Sequence, residues 1–145
     1  MGDRVEDVLA EKQRGELLTI DGGEMVIDAV RKMVDANVGA LLVTEKSRIV
    51  GILTERDYLR RVALEGRSSS STEVREIMTS PLIVVEPQTR VDETMALMTD
   101  RRIRHLPVTE GGEITGLISI GDVVKFQSSR RQVELKYLND YISAR

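Results

Sequence analysis

GLISIGDVVK (116–125) and GILTERDYLR (51–60) share one pattern: glycine, two apolar residues, a hydroxyl residue, two variable residues and aspartate. The two stretches lie sixty-five residues apart, and at that offset residues 20–57 align with residues 85–122 without a gap. Ten of the 38 aligned positions are identical, where chance would give about two or three. The chain therefore contains a duplicated unit of supersecondary structure.

Each copy of the duplicated unit shows the same succession of apolar patterns. A short run typical of a strand comes first, then a helical stripe, then two more strand-like runs and a second helix. The predicted strands are 16–20, 38–43 and 48–53 in the first copy, and 82–86, 104–108 and 113–118 in the second. In the first copy the helical stripe consists of Val26, Ala29, Val30, Met33 and Val34. We therefore expect an α/β fold with the order β-α-β-β-α twice.

Two local signals in the second copy predict where its elements turn and begin. The Gly-Gly pair in TEGGE (109–113) is typical of a β-hairpin turn. Thr89, with Asp92 three residues later, predicts a capping box that opens a helix near Val91.

The repeat also predicts the domain organisation. A unit of about fifty residues is too small to bury both faces of its sheet alone, so we expect the two copies to pack as a pseudo-two-fold pair. The expected bounds are 1–15 for an N-terminal helical segment, 16–66 for the first copy, 67–78 for a linker and the entry to the second copy, 79–127 for the second copy and 128–145 for a C-terminal amphipathic helix. The apolar stripe of that last helix either docks on its own domain or makes a subunit contact.

TERD (54–57) and SIGD (119–122) are the candidate functional motifs. A hydroxyl at a helix start with an acid three residues later forms a capping box, and this structural role would explain one isolated copy. Recurrence at the same point of both copies favours a ligand site, and the preceding Gly51 and Gly116 would leave space for a ligand to approach the backbone. A helix N-terminus attracts phosphate, and an ionised aspartate can accept two hydrogen bonds from a vicinal diol. Phosphate plus a ribose diol predicts a nucleotide.

Composition and charge exclude several classes of function. The formal net charge is −3, which gives no general attraction to nucleic acid or to an anionic membrane. The chain has no cysteine and one histidine, His105, so we expect no metal site, no Ser-His-Asp triad and no catalytic residues. No apolar run approaches the ~20 residues that span a bilayer, and the N-terminus lacks a secretory pattern. We expect a cytoplasmic protein that is not an enzyme.

These motifs resemble a pair of CBS domains. The resemblance is carried by GILTERD (51–57), GLISIGD (116–122), EIMTSPLIVVEP (76–87) and MTDRRIRHLPV (98–108). It extends over almost the whole chain, and MTDRRIRHLPV followed by GLISIGDVVK is a close match to small stand-alone CBS-pair proteins of bacteria and plant organelles.

The resemblance implies two clefts between the paired domains that bind adenine nucleotides, most often AMP, sometimes ADP, ATP, NAD or S-adenosylmethionine. By the same resemblance, Asp57 and Asp122 would hold ribose hydroxyls, while Thr54 and Ser119 would contact phosphate. The adenine would be framed by Leu18, Thr19, Gly39 and Ala40 in one site and by Leu82, Ile83, His105, Leu106 and Pro107 in the other. Arg56, Arg104 and His105 are the implied residues at the phosphate end.

The resemblance also implies a regulatory role without catalysis, as an energy or metabolite sensor, in a homodimer whose contact surface includes the helices after Thr54 and Ser119. No cofactor beyond the nucleotide ligand is implied. An alternative is a protein-interaction module with vestigial nucleotide sites that acts through its C-terminal helix on a partner protein. The plant members that regulate thioredoxin illustrate this second role.

Overall fold

The computed structural model describes residues 3–12 and 17–130. The elements in chain order are α1 (Val5–Glu11), β1 (Thr19–Asp21), α2 (Val26–Ala36), β2 (Ala40–Glu45), β3 (Arg48–Thr54), α3 (Glu55–Tyr58) with a π-helical turn (Leu59–Ala63), α4 (Val74–Ile77), α5 (Val91–Arg101), β4 (His105–Glu110), β5 (Glu113–Ser119) and α6 (120–130). The chain forms two compact units, of which the first spans Glu16–Ile83 and the second combines Met1–Gly15 with Val84–Arg145.

The first unit is built on a three-stranded sheet in the order β1-β2-β3. β1 runs parallel to β2, and β2 pairs antiparallel with β3, with Leu41 opposite Leu53. The helical stripe of α2 packs on this sheet because its positions recur on one face, and Val26, Ala29 and Met33 are buried. Val34, predicted to join that stripe, is instead 71% exposed. It lies in the last turn of α2, where no other element of the first unit covers it.

The second unit repeats the hairpin but not the first strand. β4 pairs antiparallel with β5, while the predicted strand 82–86 is reduced to one parallel bridge between Val85 and Val108. The bridge keeps two backbone bonds, from Val85 N–H to the Pro107 carbonyl at 3.0 Å and from Thr109 N–H to the Val85 carbonyl at 2.8 Å.

Two prolines account for the missing strand. In the first unit the ladder continues through Leu42 N–H to the Leu18 carbonyl and Gly22 N–H to the Thr44 carbonyl. The repeat places Pro107 at the position of Leu42 and Pro87 at that of Gly22. Because proline has no N–H, neither bond can form in the second unit, and pairing stops on both sides of Val85.

The hairpin turns occupy equivalent positions but differ in chemistry. Gly111 and Gly112 have φ values of 58° and 82°, which confirms the turn predicted from the Gly-Gly pair. In the first unit the same two positions hold Lys46 and Ser47, with φ values of 51° and 65°. Side chains with a Cβ are disfavoured in this left-handed region, so the first hairpin carries strain that the second avoids.

The capping box predicted at Thr89 and Asp92 is wrong. α5 begins at Val91 and its N-cap residue is Arg90. The Thr89 hydroxyl lies in the preceding turn, where it accepts a hydrogen bond from Glu86 N–H at 3.0 Å. Asp92 accepts one from Glu93 N–H at 2.9 Å. Because residues 86–89 close their own turn, Thr89 sits one residue too early to cap the helix.

Two segments that the sequence-based bounds left outside both copies are part of the compact units in the structure. α1 belongs to the second unit, where Val5 and Val8 are buried in the hydrophobic core. α4 belongs to the first unit, where Val74 and Ile77 are buried. The C-terminal amphipathic stripe predicted over 132–142 lies outside the described residues. Among residues 3–12 and 17–130, no helix is both long and apolar enough to cross a bilayer.

Candidate functional site

Thr54 and Asp57 form a closed hydrogen-bonded group where β3 passes into α3. The Thr54 hydroxyl accepts from Asp57 N–H at 3.2 Å, and Asp57 Oδ2 accepts from Thr54 N–H at 3.0 Å and from the Thr54 hydroxyl at 3.1 Å. The other oxygen, Oδ1, accepts from the Thr79 hydroxyl at 3.1 Å. Asp57 is only 9% exposed. Both of its carboxylate oxygens are thus bonded to neutral donors of its own unit.

Ser119 and Asp122 form the equivalent group where β5 passes into α6. The Ser119 hydroxyl accepts from Asp122 N–H at 3.0 Å, and Asp122 Oδ2 accepts from Ser119 N–H at 2.9 Å. Asp122 Oδ2 also lies 2.8 Å from the ammonium of Lys12, which donates in addition to the Leu117 carbonyl at 2.9 Å. Within the part of the chain that the structure describes, no hydrogen bond reaches Asp122 Oδ1. This carboxylate has one oxygen open to a further donor.

The charge state of Asp122 follows from its surroundings. Partial burial raises the pKa of this carboxyl, but the hydrogen bonds from the Lys12 ammonium and from Ser119 N–H lower it, and the net result is a pKa below the ordinary value. Asp122 is therefore ionised at neutral pH and can act only as an acceptor. An open acceptor oxygen beside a helix start suits a ligand that carries hydroxyl donors and an anionic group.

The two motifs do cap their helices, as one of the sequence interpretations held. Both hydroxyls and both carboxylates make the reciprocal bonds of a capping box. This role does not exclude ligand binding, because Asp122 keeps an oxygen that the cap does not use.

The two glycines before the motifs do not open space for a ligand, contrary to the interpretation from the repeat. A Cβ on Gly51 would lie 2.8 Å from Met78 Sδ and 2.9 Å from the Thr79 carbonyl oxygen. A Cβ on Gly116 would contact the methyl groups of Leu9 at 3.4 Å. The missing side chains instead leave room for other residues of the same unit, Met78 and Thr79 at Gly51 and Leu9 at Gly116.

Most residues predicted for the first site lie close to Thr54. Ala40 is its partner across the β2–β3 ladder, and the Gly39 carbonyl accepts from Glu55 N–H at 3.0 Å. Leu18 and Thr19 lie on the other side of β2, where the Leu18 carbonyl accepts from Leu42 N–H. These backbone groups form one edge of the first unit, at which Arg56 is exposed.

The second site has the same backbone frame. His105 is the ladder partner of Ser119, and the Arg104 carbonyl accepts from Ile120 N–H at 2.8 Å, as Gly39 does from Glu55 in the first unit. Leu106 and Pro107 are buried in β4. The remaining two predicted residues, Leu82 and Ile83, belong to the first compact unit rather than to that of Ser119.

Sequence reasoning missed two residues, Lys12 and Thr79. Lys12 lies 110 residues before Asp122, and no pattern in the sequence relates the two. Thr79 lies in a stretch that the family resemblance highlighted, but its hydroxyl bond to Asp57 depends on how residues 78–79 cross β3, where Thr79 and Ile52 exchange two backbone bonds. In the described part of the chain, no group of three or more His, Cys, Asp or Glu side chains could hold a metal ion.

Comparison with known proteins identifies the family. Residues 5–64 and 74–129 each match the model of the CBS domain. The chain belongs to the CBS domain family. Each match contains one of the two aligned stretches of the repeat, 20–57 and 85–122, so the family and the tandem fold predicted from the motifs are confirmed.

Relatives of this CBS-pair protein include both curated sequences and solved structures. The CBS domain-containing protein CBSX3, mitochondrial, of Arabidopsis thaliana is 45% identical over 146 residues, which cover 95% of this chain and 71% of that one. A protein with CBS domains from Burkholderia ambifaria MC40-6 is 48% identical, with a TM-score of 0.80 and coverage of 84% and 91%.

A more distant solved structure contains adenosine derivatives. The CBS domain pair of protein MJ0100, in complex with 5′-methylthioadenosine and S-adenosyl-L-methionine, has a TM-score of 0.75 and 19% identity, with coverage of 90% and 99%. At that identity the similarity to this chain concerns the fold.

Proposed function

We propose that this CBS-pair protein is a non-catalytic regulatory module that binds an adenine nucleotide at the Thr54–Asp57 and Ser119–Asp122 motifs. AMP is the proposed ligand, with ADP, ATP and NAD as further candidates. The observation that carries the proposal is the geometry at Asp122, an ionised carboxylate with one open oxygen, one helical turn after a hydroxyl and a helix start. The binding of adenosine derivatives by a protein of the same fold supports it.

The two motifs differ in how many hydrogen bonds their aspartate oxygens already accept. At the first, both oxygens of the Asp57 carboxylate already accept hydrogen bonds, so ribose hydroxyls must share Oδ1 with the Thr79 hydroxyl or replace it. At the second, Asp122 Oδ1 can accept without displacing a donor of the described chain. The second motif is therefore proposed as the site that fills at lower nucleotide concentration.

Calorimetric titration with AMP tests the proposal. Asp122→Ala removes the acceptor for the ribose hydroxyls and should weaken AMP binding by about tenfold or more, since charge-assisted hydrogen bonds contribute about 1.5–3 kcal/mol each. Asp100→Ala is a matched control, because it removes an exposed acid of the same unit outside the motif. The loss of the cap costs about 1 kcal/mol of stability, so circular dichroism should confirm that the variant is folded. An isotherm unchanged by Asp122→Ala would refute the site.

A ranking of ligands follows from thermal stabilisation. AMP, ADP, ATP, NAD and S-adenosylmethionine at equal concentration should raise the melting temperature in the order of their affinities, because a ligand stabilises by RT ln(1 + [L]/Kd). Absence of stabilisation by all five would contradict the proposed function. The same mixtures, assayed for consumed nucleotide, test the proposal that the protein is not an enzyme.

We further propose that the protein acts as a homodimer. The end of α2 and the π-helical turn after α3 leave Val34 and Leu59 exposed at 71% and 56%, around a cleft of 440 Å³ that Tyr58 also lines. Apolar surface of this kind is typical of protein contacts. Val34→Lys should convert a dimer to a monomer in light scattering, whereas Asp35→Asn, which also raises the net charge by one at an exposed position of the same helix, serves as the charge control. A monomeric wild-type protein would refute this part of the proposal.

The interaction module with vestigial sites remains the second candidate. The observation that favours it is the full hydrogen bonding of Asp57, which leaves that carboxylate no free oxygen. It predicts partner binding that is insensitive to nucleotide and lost on deletion of residues 131–145. The proposed location of the protein is the cytoplasm, although the Arabidopsis relative is mitochondrial by name.

A further inference from the structure

Lys12 is held against Asp122 by a docked helix. It immediately follows α1, whose Val5 and Val8 are buried in the core of the second unit. The backbone adds a bond from Val5 N–H to the Thr89 carbonyl at 2.8 Å. The Lys12 ammonium then reaches Asp122 Oδ2 at 2.8 Å and the Leu117 carbonyl at 2.9 Å. The position of this cation is thus set by the fold of the second unit.

Among residues 3–12 and 17–130, no lysine or arginine pairs with the equivalent acid of the first unit, Asp57. Asp57 receives its side-chain hydrogen bonds from the hydroxyls of Thr54 and Thr79, which are neutral. The duplicated motifs have therefore diverged in charge at the carboxylate proposed to bind ribose. A lysine on one of two otherwise equivalent acids changes which ligands that site can accept.

The Lys12 ammonium has two possible anionic partners when a nucleotide approaches. It is 37% exposed on its side chain and follows the last residue of α1, so its flexible stem can move while the helix stays docked. A phosphate carries more negative charge than one carboxylate and would lie at the start of α6, beside Ser119, in the proposed binding mode. The ammonium can therefore exchange Asp122 for phosphate without losing a charged partner.

We propose that Lys12 is the specificity-determining residue of the second site, paired with Asp122 in the absence of ligand and transferred to the phosphate when a nucleoside phosphate binds. The transfer removes one of two donors from Asp122 Oδ2, the other being Ser119 N–H, so both carboxylate oxygens can then accept ribose hydroxyls. A nucleoside without phosphate can use Asp122 Oδ1, but it must compete with the ammonium for Oδ2 and offers that ammonium no anionic partner in exchange. The site thereby selects phosphorylated nucleosides. This inference rests on the proposed nucleotide function.

Lys12→Met tests the inference because it keeps the length and apolar stem of the side chain but removes its charge. AMP and adenosine are each titrated into the wild-type protein and the variant by calorimetry. AMP binding should weaken by about tenfold, the equivalent of about 1.4 kcal/mol, while adenosine binding should stay the same or become tighter. The preference for AMP over adenosine should therefore fall by a factor of ten or more.

Lys46→Met is the matched control. It makes the same change in net charge at an exposed hairpin turn of the first unit, at the opposite end of β3 from Thr54. Its preference for AMP over adenosine should equal that of the wild type. If Lys12→Met changes both affinities by one common factor, or changes neither, the assignment of Lys12 is overturned.

A second readout separates the failure of this inference from failure of the proposed function. In carbon NMR the carboxyl signal of Asp122 should shift on addition of AMP to the wild type, because the ammonium leaves it, and should shift less in Lys12→Met. If AMP binds and Asp122→Ala abolishes binding while Lys12→Met keeps the wild-type preference, only the Lys12 assignment fails. If the wild type binds neither AMP nor adenosine, the nucleotide function fails and the assignment fails with it.

Discussion

Replacement of Gly51 by alanine should destabilise the protein, whereas the same change at the equivalent Gly116 should not. The new Cβ at position 51 would lie 2.8 Å from Met78 Sδ and 2.9 Å from the Thr79 carbonyl oxygen, both shorter than real Cβ contacts allow. The sulfur can move with its flexible side chain. The Thr79 carbonyl is fixed, because Thr79 and Ile52 exchange backbone hydrogen bonds of 3.0 and 2.8 Å.

The magnitude follows from these contacts. Overpacking of a well-packed site costs about 1–3 kcal/mol, and weakening the bonds to Ile52 costs up to about 1 kcal/mol each. Replacing glycine by alanine restricts the unfolded chain and offsets about 0.4–1 kcal/mol. The net expectation for Gly51→Ala is a loss of about 2 kcal/mol. At Gly116 the atoms nearest to a new Cβ are the Leu9 methyl groups at 3.4 Å, an ordinary contact. Only the stabilisation from restricting the unfolded chain therefore remains at this position.

Urea unfolding followed by circular dichroism measures both variants. Gly51→Ala should be less stable than the wild type by about 2 kcal/mol, and Gly116→Ala should be equal to it or up to about 1 kcal/mol more stable. The two positions are aligned in the repeat, so differences in strand propensity largely cancel. Equal stability of the two variants would show that residues 78–79 do not press on β3 in the way described.

Three further predictions concern the turn, the ion pair and the first site. Lys46→Gly combined with Ser47→Gly should stabilise the protein by about 1 kcal/mol in urea unfolding, because glycine adopts positive φ without strain. The stability that the wild type gains over Lys12→Met, about 1 kcal/mol at neutral pH, should shrink as pH falls. Because the pKa of Asp122 is lowered in the folded protein, the part of that gain due to the ion pair is fully present above the ordinary pKa of 3.8 and is lost as pH falls through the lower folded value, while the bond from Lys12 to the Leu117 carbonyl stays; a gap that does not narrow in acid would contradict the pairing. Thr79→Val should cost about 1–2 kcal/mol in thermal unfolding, because it leaves one oxygen of a buried carboxylate without its donor.

The repeat made much of the fold predictable. The order of strands and helices, the Gly-Gly hairpin and both hydroxyl–acid helix caps follow from local pattern, and the structure contains them. Local pattern failed where the outcome depended on register. The run at 82–86 has the pattern of a strand, but two hydrogen bonds of its ladder would need N–H donors from Pro107 and Pro87, which have none. Only the register of the strand pairing shows that these prolines stand at donor positions.

The candidate site was predictable in its acids and hydroxyls but not in their partners. Asp57 and Asp122 are equivalent in sequence, yet one is bonded by Thr79 and the other by Lys12. Both partners arrive through tertiary packing, from residues 22 positions after the acid in one case and 110 positions before it in the other. No spacing rule for helices or strands covers such separations.

The membership of α1 in the second unit has a consequence for the order of events during synthesis. The first unit is one continuous stretch, Glu16–Ile83, whereas the second is completed by residues from both sides of it. On a ribosome α1 is synthesised before its packing partners. It can dock only after some seventy more residues have been made, because its core neighbours begin at Val85. A fragment that started at residue 84 would lack Val5 and Val8, whereas a circular permutant that moved residues 1–15 behind the last residue would render both units contiguous.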